Sequence, residues 1–258
     1  MIPSTFKIGF ITFHFYGLII VLAIYIGWYL AKKRASFYNI SQKIFDDPIL
    51  IIPLVSALLG ARLYHVVDYW YVYSQQLISI IYVWEGGLGI WGGIAGAVFG
   101  FFLVSNIKKI NFLPVLDLVA PSLLLGQAVG RIGNFINQEG FGPPTNLIWG
   151  VYINPDRRPD QFANFSRFHP TFFYEAILNA ILLVILLVIA RKHRHPGQIF
   201  AYYLIFYSVS RFISEFWRID TWMMGEVKIA HVVATIVFII GIGILLYSMT
   251  SKNSKHLT

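Results

Sequence analysis

The chain has 258 residues, of which 57% are hydrophobic, 17% aromatic and only 12% charged, with a formal net charge of +8. Soluble domains carry about 25% charged residues, so the polar surface of a water-soluble globule is missing and that class is excluded. There is no cysteine, which excludes disulfides, a thiolate nucleophile on the protein and any cysteine-based metal site; thiol chemistry would have to use a substrate's sulfur.

A helix needs roughly 20 apolar residues to cross a bilayer, and seven such stretches lie near 10–31, 48–67, 86–105, 113–130, 171–190, 198–217 and 229–248. The first reads as a retained helix and not a cleaved leader: only Lys7 precedes it, AKKR follows it, and no A-x-A cleavage pattern appears. The second carries Arg62 in GARLY. The third opens on GLGIWG, formally a dinucleotide fingerprint, but it begins a membrane helix without a preceding strand. Gly92, Gly96 and Gly100 read better as a small-residue stripe for close helix packing. The fourth ends in GRIGNFINQEGFG (130–142), where an apolar run gives way to Arg131, Asn134, Asn137, Gln138 and Glu139 among glycines. A polar outer region follows at about 131–170, including the solvated turn NPDRRPD (154–160). The fifth stretch opens beside HPTFFYE, the sixth ends in RFISE, and the seventh carries His231.

The basic residues are distributed as topology requires, which argues against nucleic acid as a partner. Lys32, Lys33, Arg34, Lys43, Lys108, Lys109, Arg191, Lys192, Arg194, Lys252 and Lys255 all follow odd-numbered stretches, placing eleven of the twenty Lys and Arg residues on one side. By the positive-inside rule that side is cytoplasmic, and the surplus attracts anionic headgroups of the membrane lipids. The reading is an all-α polytopic membrane protein of about seven transmembrane helices, N-terminus outside and C-terminus cytoplasmic. It forms a single, multi-pass integral-membrane domain over residues 1–258.

Ionisable groups inside a membrane cost roughly 2.5–3.5 kcal/mol each on insertion scales and usually mark function. Here they are Arg62, Asp117, Arg131, Glu139, Glu175, Arg211 and Glu215, with His14, His169 and His231 beside them. Each has a plain structural reading. His14 and His231 can be satisfied interfacial histidines, and Arg62 can snorkel to headgroups. Asp117, near Lys108 and Lys109, reads as a structural charge. Arg211 and Glu215 stand i,i+4 and can form a simple ion pair, and Glu175 can accept a hydrogen bond from a neighbouring helix. Their concentration towards one leaflet is the stronger signal. An arginine fork matches phosphate oxygens and stays charged, so Arg131 and Arg211, with Asn134, Asn137 and Glu139 nearby, suit a phospholipid headgroup. No His/Asp/Glu cluster has metal-ligand spacing, and no cofactor is implied.

GRIGNFINQEGFG resembles the signature of the prolipoprotein diacylglyceryl transferases, Gly-Arg-x-Gly-Asn-Phe-x-Asn-x-Glu ending in glycine. HFYG (14–17), GARL (60–63), WEGGLGIWGG (84–93), HPTFFYE (169–175) and SRFISEFWR (210–218) agree in order and spacing, so the resemblance spans essentially the whole chain. It implies transfer of the diacylglyceryl group of phosphatidylglycerol onto the lipobox cysteine in a prolipoprotein signal peptide, forming a thioether and releasing glycerol phosphate. It also implies Arg131, Arg211, His14 and His169 as catalytic residues. The corresponding substrate-binding set is Arg131, Asn134, Asn137, Glu139, Gly142, Tyr16, Arg62, Glu175 and Glu215. This chain departs from relatives at Trp91, where histidine is common, at Phe172, where glutamine is common, and at Ile219 and Asp220 in place of an acidic-proline pair.

A cysteine thiol is only a few per cent thiolate near neutrality, so such a site must favour the thiolate and stabilise the departing phosphate. Arginines do both by charge. On this reading Arg131 grips the phosphate and Arg211 stabilises the leaving group or the thiolate, with His14 and His169 as candidate proton acceptors and Glu175 or Glu215 orienting them. The competing class is a membrane transporter or flippase for an anionic lipid or small anion. Such proteins show paired repeats and broken helices at the midplane, and this chain shows neither repeat nor midplane cluster.

Overall fold

The computed structural model describes residues 5–8, 11–192, 195–219 and 221–250, the side chains of 5–8, 11–14, 16 and 85 excepted. The side chains of His14 and Tyr16 therefore lie outside the described residues. The chain is mostly helical and divides into two compact units, Met1–Arg34 with Leu116–Thr258, and Ala35–Val115. Among the described residues, five helices are long and apolar enough to cross a membrane: Pro48–Asp68, Ile90–Ile107, Phe112–Asn137, Thr171–Lys192 and Ile229–Thr250.

Three boundaries differ from the sequence reading. The first apolar stretch begins in a hairpin, β1 (Thr5–Ile8) pairing antiparallel with β2 (Ile11–His14), and only then enters α1 (Phe15–Arg34). Thr5, Ile8, Ile11 and Thr12 are β-branched and favour the extended state. The third stretch becomes helical at Ile90. The fourth stays helical well past residue 130, so Arg131, Asn134 and Asn137 belong to a helix and not to the loop.

The unit Ala35–Val115 is built on α2 (Ile51–Asp68) and α4 (Ile90–Ile107), joined through the short α3 (Trp70–Tyr73). The two long helices touch backbone to backbone. A Cβ on Gly92 would stand 2.1 Å from the Gly60 carbonyl oxygen, and one on Gly96 would stand 2.1 Å from that of Ser56. Only glycine permits this approach. Arg62 gathers the connection: Nε donates to the Ile80 carbonyl at 2.7 Å, Nη1 to those of Gly86 (2.7 Å) and Gly87 (3.0 Å), and Nη2 to that of Ser79 (2.5 Å). Gly86 and Gly87 hold φ of +94° and +71°, so the glycines of GLGIWG and its flank present carbonyls to an arginine. At the other end of the helices Asp47 pairs with Lys108 and accepts the Ile49 amide at 2.9 Å. The Lys108 ammonium first, then that amide, holds the Asp47 carboxyl below its ordinary value.

The other unit contains α1, α5 (Phe112–Asn137), α6 (Thr171–Lys192), α7 (Gln198–Glu215) and α8 (Ile229–Thr250). Ala120, Leu124, Leu186, Ala190, Ile199 and Tyr203 form its apolar core. The Ser122 hydroxyl donates to the Gly27 carbonyl at 2.7 Å, joining α5 to α1. Asp117 is structural, as its position indicated, and its role is specific. Its carboxylate accepts the amides of Gly197 (2.7 Å) and Phe200 (2.8 Å), capping α7 from another helix. Past α5, β3 (Val151–Tyr152) pairs with β4 (Arg167–Phe168) over a second core of Phe141, Ile153, Phe168 and Phe172. Between α7 and α8 a small hairpin, β5 (Met223–Met224) with β6 (Val227–Lys228), turns the chain.

Candidate active site

The end of α5 explains the glycine-rich signature. Helix α5 stops at Asn137, and Gln138 (φ +54°) and Gly140 (φ +70°) take left-handed conformations that reverse the chain. The reversed strand is then tied down. Glu139 N–H donates to the Asn134 carbonyl at 3.0 Å, Gly142 N–H to that of His169 at 2.8 Å, and the Thr171 hydroxyl to that of Gly140 at 2.6 Å. A Cβ on Gly142 would meet the Trp217 carbonyl and Thr171 Cγ2, each at 2.7 Å, so glycine is needed here for close backbone packing. The Gln138 side-chain oxygen accepts the Asn154 amide at 2.8 Å, anchoring the long loop.

On this support lies an alternating chain of charges. Glu139 Oε1 accepts from the side-chain amides of Asn134 (3.0 Å) and Asn137 (3.3 Å). The Asn134 amide oxygen accepts from Arg131 Nη1 at 3.0 Å, and Arg131 Nη2 pairs with Glu175 Oε1. The second oxygen of Glu175 faces Arg211 Nη1 at 3.7 Å, and Arg211 Nη2 pairs with Glu215 Oε2 at 2.6 Å. Glu215 in turn accepts from the Thr221 hydroxyl, while the Lys228 ammonium donates to the carbonyls of Glu215 (2.6 Å) and Arg218 (3.0 Å) at the end of α7. Glu175 and Glu215 are fully buried, whereas Arg131 and Arg211 keep 19% and 18% of their side chains accessible.

Two arginines from different helices thus share one buried carboxylate. Burying this many charges is a poor way to stabilise a fold, because desolvation consumes most of the Coulombic gain. The arrangement instead holds two forks rigidly while leaving donors open. Arg211 Nη1 is buried and makes no hydrogen bond among the described residues. Such preorganised, partly desolvated donors suit an anion whose charge develops during a reaction.

Of the residues named from the sequence, the structure brings together Arg131, Asn134, Asn137, Glu139, Glu175, Arg211 and Glu215, whereas Gly142 packs against Thr171, His169 and Trp217. The Arg211–Glu215 ion pair is present, and Glu175 does accept a hydrogen bond from a neighbouring helix, from Arg131 on α5, while its other oxygen faces Arg211 on α7 as an ion pair without a hydrogen bond. Arg62 spends its guanidinium on the carbonyls of its own connection. His169 belongs to a separate triad: its Nδ1 lies 3.1 Å from the Tyr174 hydroxyl, which accepts the Trp149 indole N–H at 2.9 Å. His231 is held between the rings of Phe212 and Phe216. Trp91 is half exposed on the first turn of α4.

Sequence reasoning passed over Thr221, Lys228 and the buried pair Asn179–Ser210. Asn179 had a visible signal, being the lone polar residue between Ala176 and Ala190. Among the described residues no group of three or more His, Asp or Glu is placed to hold a metal ion.

Residues 3–247 match the family model described as prolipoprotein diacylglyceryl transferase. A phosphatidylglycerol–prolipoprotein diacylglyceryl transferase of Clostridium novyi (strain NT) is 40% identical over 255 residues, covering 99% of this chain and 98% of the relative. One of Acaryochloris marina (strain MBIC 11017) is 40% identical over 250 residues, covering 96% and 89%. One of Listeria monocytogenes serotype 4a (strain HCC23) is 36% identical over 257 residues, covering 98% and 92%. With a family match over nearly its whole length and the signature arginine seated in a charge network at the end of α5, the chain belongs to the prolipoprotein diacylglyceryl transferase family.

Proposed function

We propose that this transferase moves the diacylglyceryl group of phosphatidylglycerol onto the lipobox cysteine of a prolipoprotein signal peptide. The cysteine sulfur attacks the glycerol carbon that bears the phosphate. A C–S bond forms, the C–O bond to phosphate breaks, and glycerol phosphate leaves with that electron pair while the thiol proton passes to a base. Arg131 grips the phosphate through its fork, and Arg211 stabilises the leaving phosphate or the attacking thiolate. Asn134, Asn137 and Glu139 set the orientation of Arg131 and the headgroup, and Glu175 and Glu215 orient both arginines. His14 and His169 are the candidate proton acceptors, and His169 Nδ1 lies 3.1 Å from the Tyr174 hydroxyl.

The reading includes seven spans, with α1 and α7 joining the five apolar helices, in a bacterial inner membrane with the N-terminus outside. Helix α7 has the length of a span, and its lower apolar content comes in part from Ser208, Ser210, Arg211, Ser214 and Glu215, of which Arg211 and Glu215 belong to the charge network. The observation that carries the proposal is the sharing of buried Glu175 by two accessible arginines from different helices. Transport of an anionic lipid is not favoured by the family. The test is to incubate the purified protein with phosphatidylglycerol and a lipobox peptide. A mass gain of one diacylglyceryl group on the peptide cysteine supports the proposal, and an unmodified peptide with a folded protein refutes it.

A further inference from the structure

We infer that Asn179 and Ser210 form a positioning pair that fixes Arg211 against Glu175. The inference rests on the reading that Arg211 acts at the phosphate or thiolate. Asn179 stands one turn after Glu175 on α6, and Ser210 directly precedes Arg211 on α7. Both side chains are buried, and the Ser210 hydroxyl donates to the Asn179 amide oxygen at 2.7 Å. The Ser210 carbonyl also accepts the Ser214 hydroxyl at 2.8 Å, and Ser214 precedes Glu215, the other partner of Arg211. The bond therefore ties α6 to α7 one turn from the 3.7 Å approach of Arg211 to Glu175.

The pair is badly made as a stabiliser. Asn179 Nδ2 is buried and takes no hydrogen-bond acceptor among the described residues. Leaving a buried amide half satisfied costs more than one interhelical hydrogen bond returns. An apolar pair would hold the helices together at least as well, but it would tolerate sliding. A hydrogen bond is lost within a few tenths of an ångström, so it sets the register of α7 along α6 and with it the place of the Arg211 fork. Helix α6 is otherwise apolar from Ala176 to Ala190, and nothing else in that run can supply a directional contact.

The experiment uses the full chain in phosphatidylglycerol vesicles with a lipobox peptide, measuring kcat, KM for the lipid, and thermal unfolding. Ser210→Ala and Asn179→Leu should each lower kcat by about tenfold or more, since misplacement of about 1 Å can cost about 100-fold. KM should stay within about twofold. Asn179→Leu, which removes the buried amide, should unfold at an unchanged or higher temperature, whereas Ser210→Ala, which leaves that amide with no partner, should unfold more readily. The double variant should be no worse than either single change, because the pair acts as a unit. Ser210→Thr, which keeps the hydroxyl, should retain most of the turnover. Arg211→Ala is measured alongside. If it is inactive while Ser210→Ala and Asn179→Leu turn over normally, the positioning inference fails and the Arg211 reading stands. If Arg211→Ala is itself active, the reading beneath the inference fails. Lower stability with unchanged turnover per folded molecule would show the pair to be merely structural and overturn the inference.

Discussion

Glu175→Gln is the most informative change to the charge network, because this one carboxylate holds both arginines. The substitution keeps size and leaves an amide oxygen to accept from Arg131, but it removes the charge that faces Arg211. At 3.7 Å and an effective dielectric of about 20, that attraction alone is about 4 kcal/mol. Breaking one side of a buried pair costs about 3–5 kcal/mol, since the remaining charge is left uncompensated. Glu215 still holds Arg211 Nη2 at 2.6 Å, so the fork is loosened and not expelled. The variant should therefore insert, unfold more readily, and keep or tighten its binding of an anionic headgroup, because the site has lost a negative charge. Turnover should fall by roughly 100-fold through loss of alignment. The assay is diacylglyceryl transfer to a lipobox peptide at varied phosphatidylglycerol, separating kcat from KM. A folded Glu175→Gln protein with kcat within about threefold of the parent would refute the claim that Glu175 sets the arginine geometry.

Other outcomes follow from the same geometry. Arg131→Lys should lose most activity while inserting normally, since a point charge cannot reach both Asn134 and Glu175 and also fork onto phosphate; near-native turnover would reduce Arg131 to an interfacial charge. Exchanging the pair as Arg211→Glu with Glu215→Arg should not restore activity, because the new carboxylate at 211 would face Glu175; rescue by the exchange would return the pair to a simple i,i+4 contact. Trp91→His should leave activity within about an order of magnitude, as thiolate stabilisation is assigned to arginine, and a large gain would show that a base at that position matters. In this cysteine-free chain, single cysteines at Lys109 and Lys252 should resist an impermeant thiol reagent in intact cells while one at Arg157 reacts; the reverse pattern would invert the topology.

The parts of this site that were legible in the sequence depend on local spacing. Arg211 and Glu215 share a face because a helix repeats every 3.6 residues, and the polar run after residue 130 stands out against hydrocarbon. Its helical state was harder to see. Glycine and asparagine signal a turn, yet the turn here begins only at Gln138, so Arg131 and Asn134 are one helical turn apart and can hydrogen bond. Relations across long separations left no local trace. That Asp117 caps α7, some 80 residues away, and that Gly60 is the partner of the Gly92 stripe follow from packing alone. Asn179 was visible as an interruption of an apolar run, but its partner on α7 was not. The hairpin before α1 escaped because an apolar, β-branched segment fits a strand and a membrane helix equally well by composition.

On the proposed mechanism the Arg131–Glu175–Arg211 network drives a displacement that couples thioether formation to phosphate departure. The direct measurement counts both products in one reaction, glycerol phosphate released and peptide cysteine alkylated, for the parent protein and for Arg211→Ala. Coupled displacement should give equal amounts of the two products from the parent and loss of both together in the variant. Glycerol phosphate released without alkylated peptide, or full yields of both from Arg211→Ala, would contradict it.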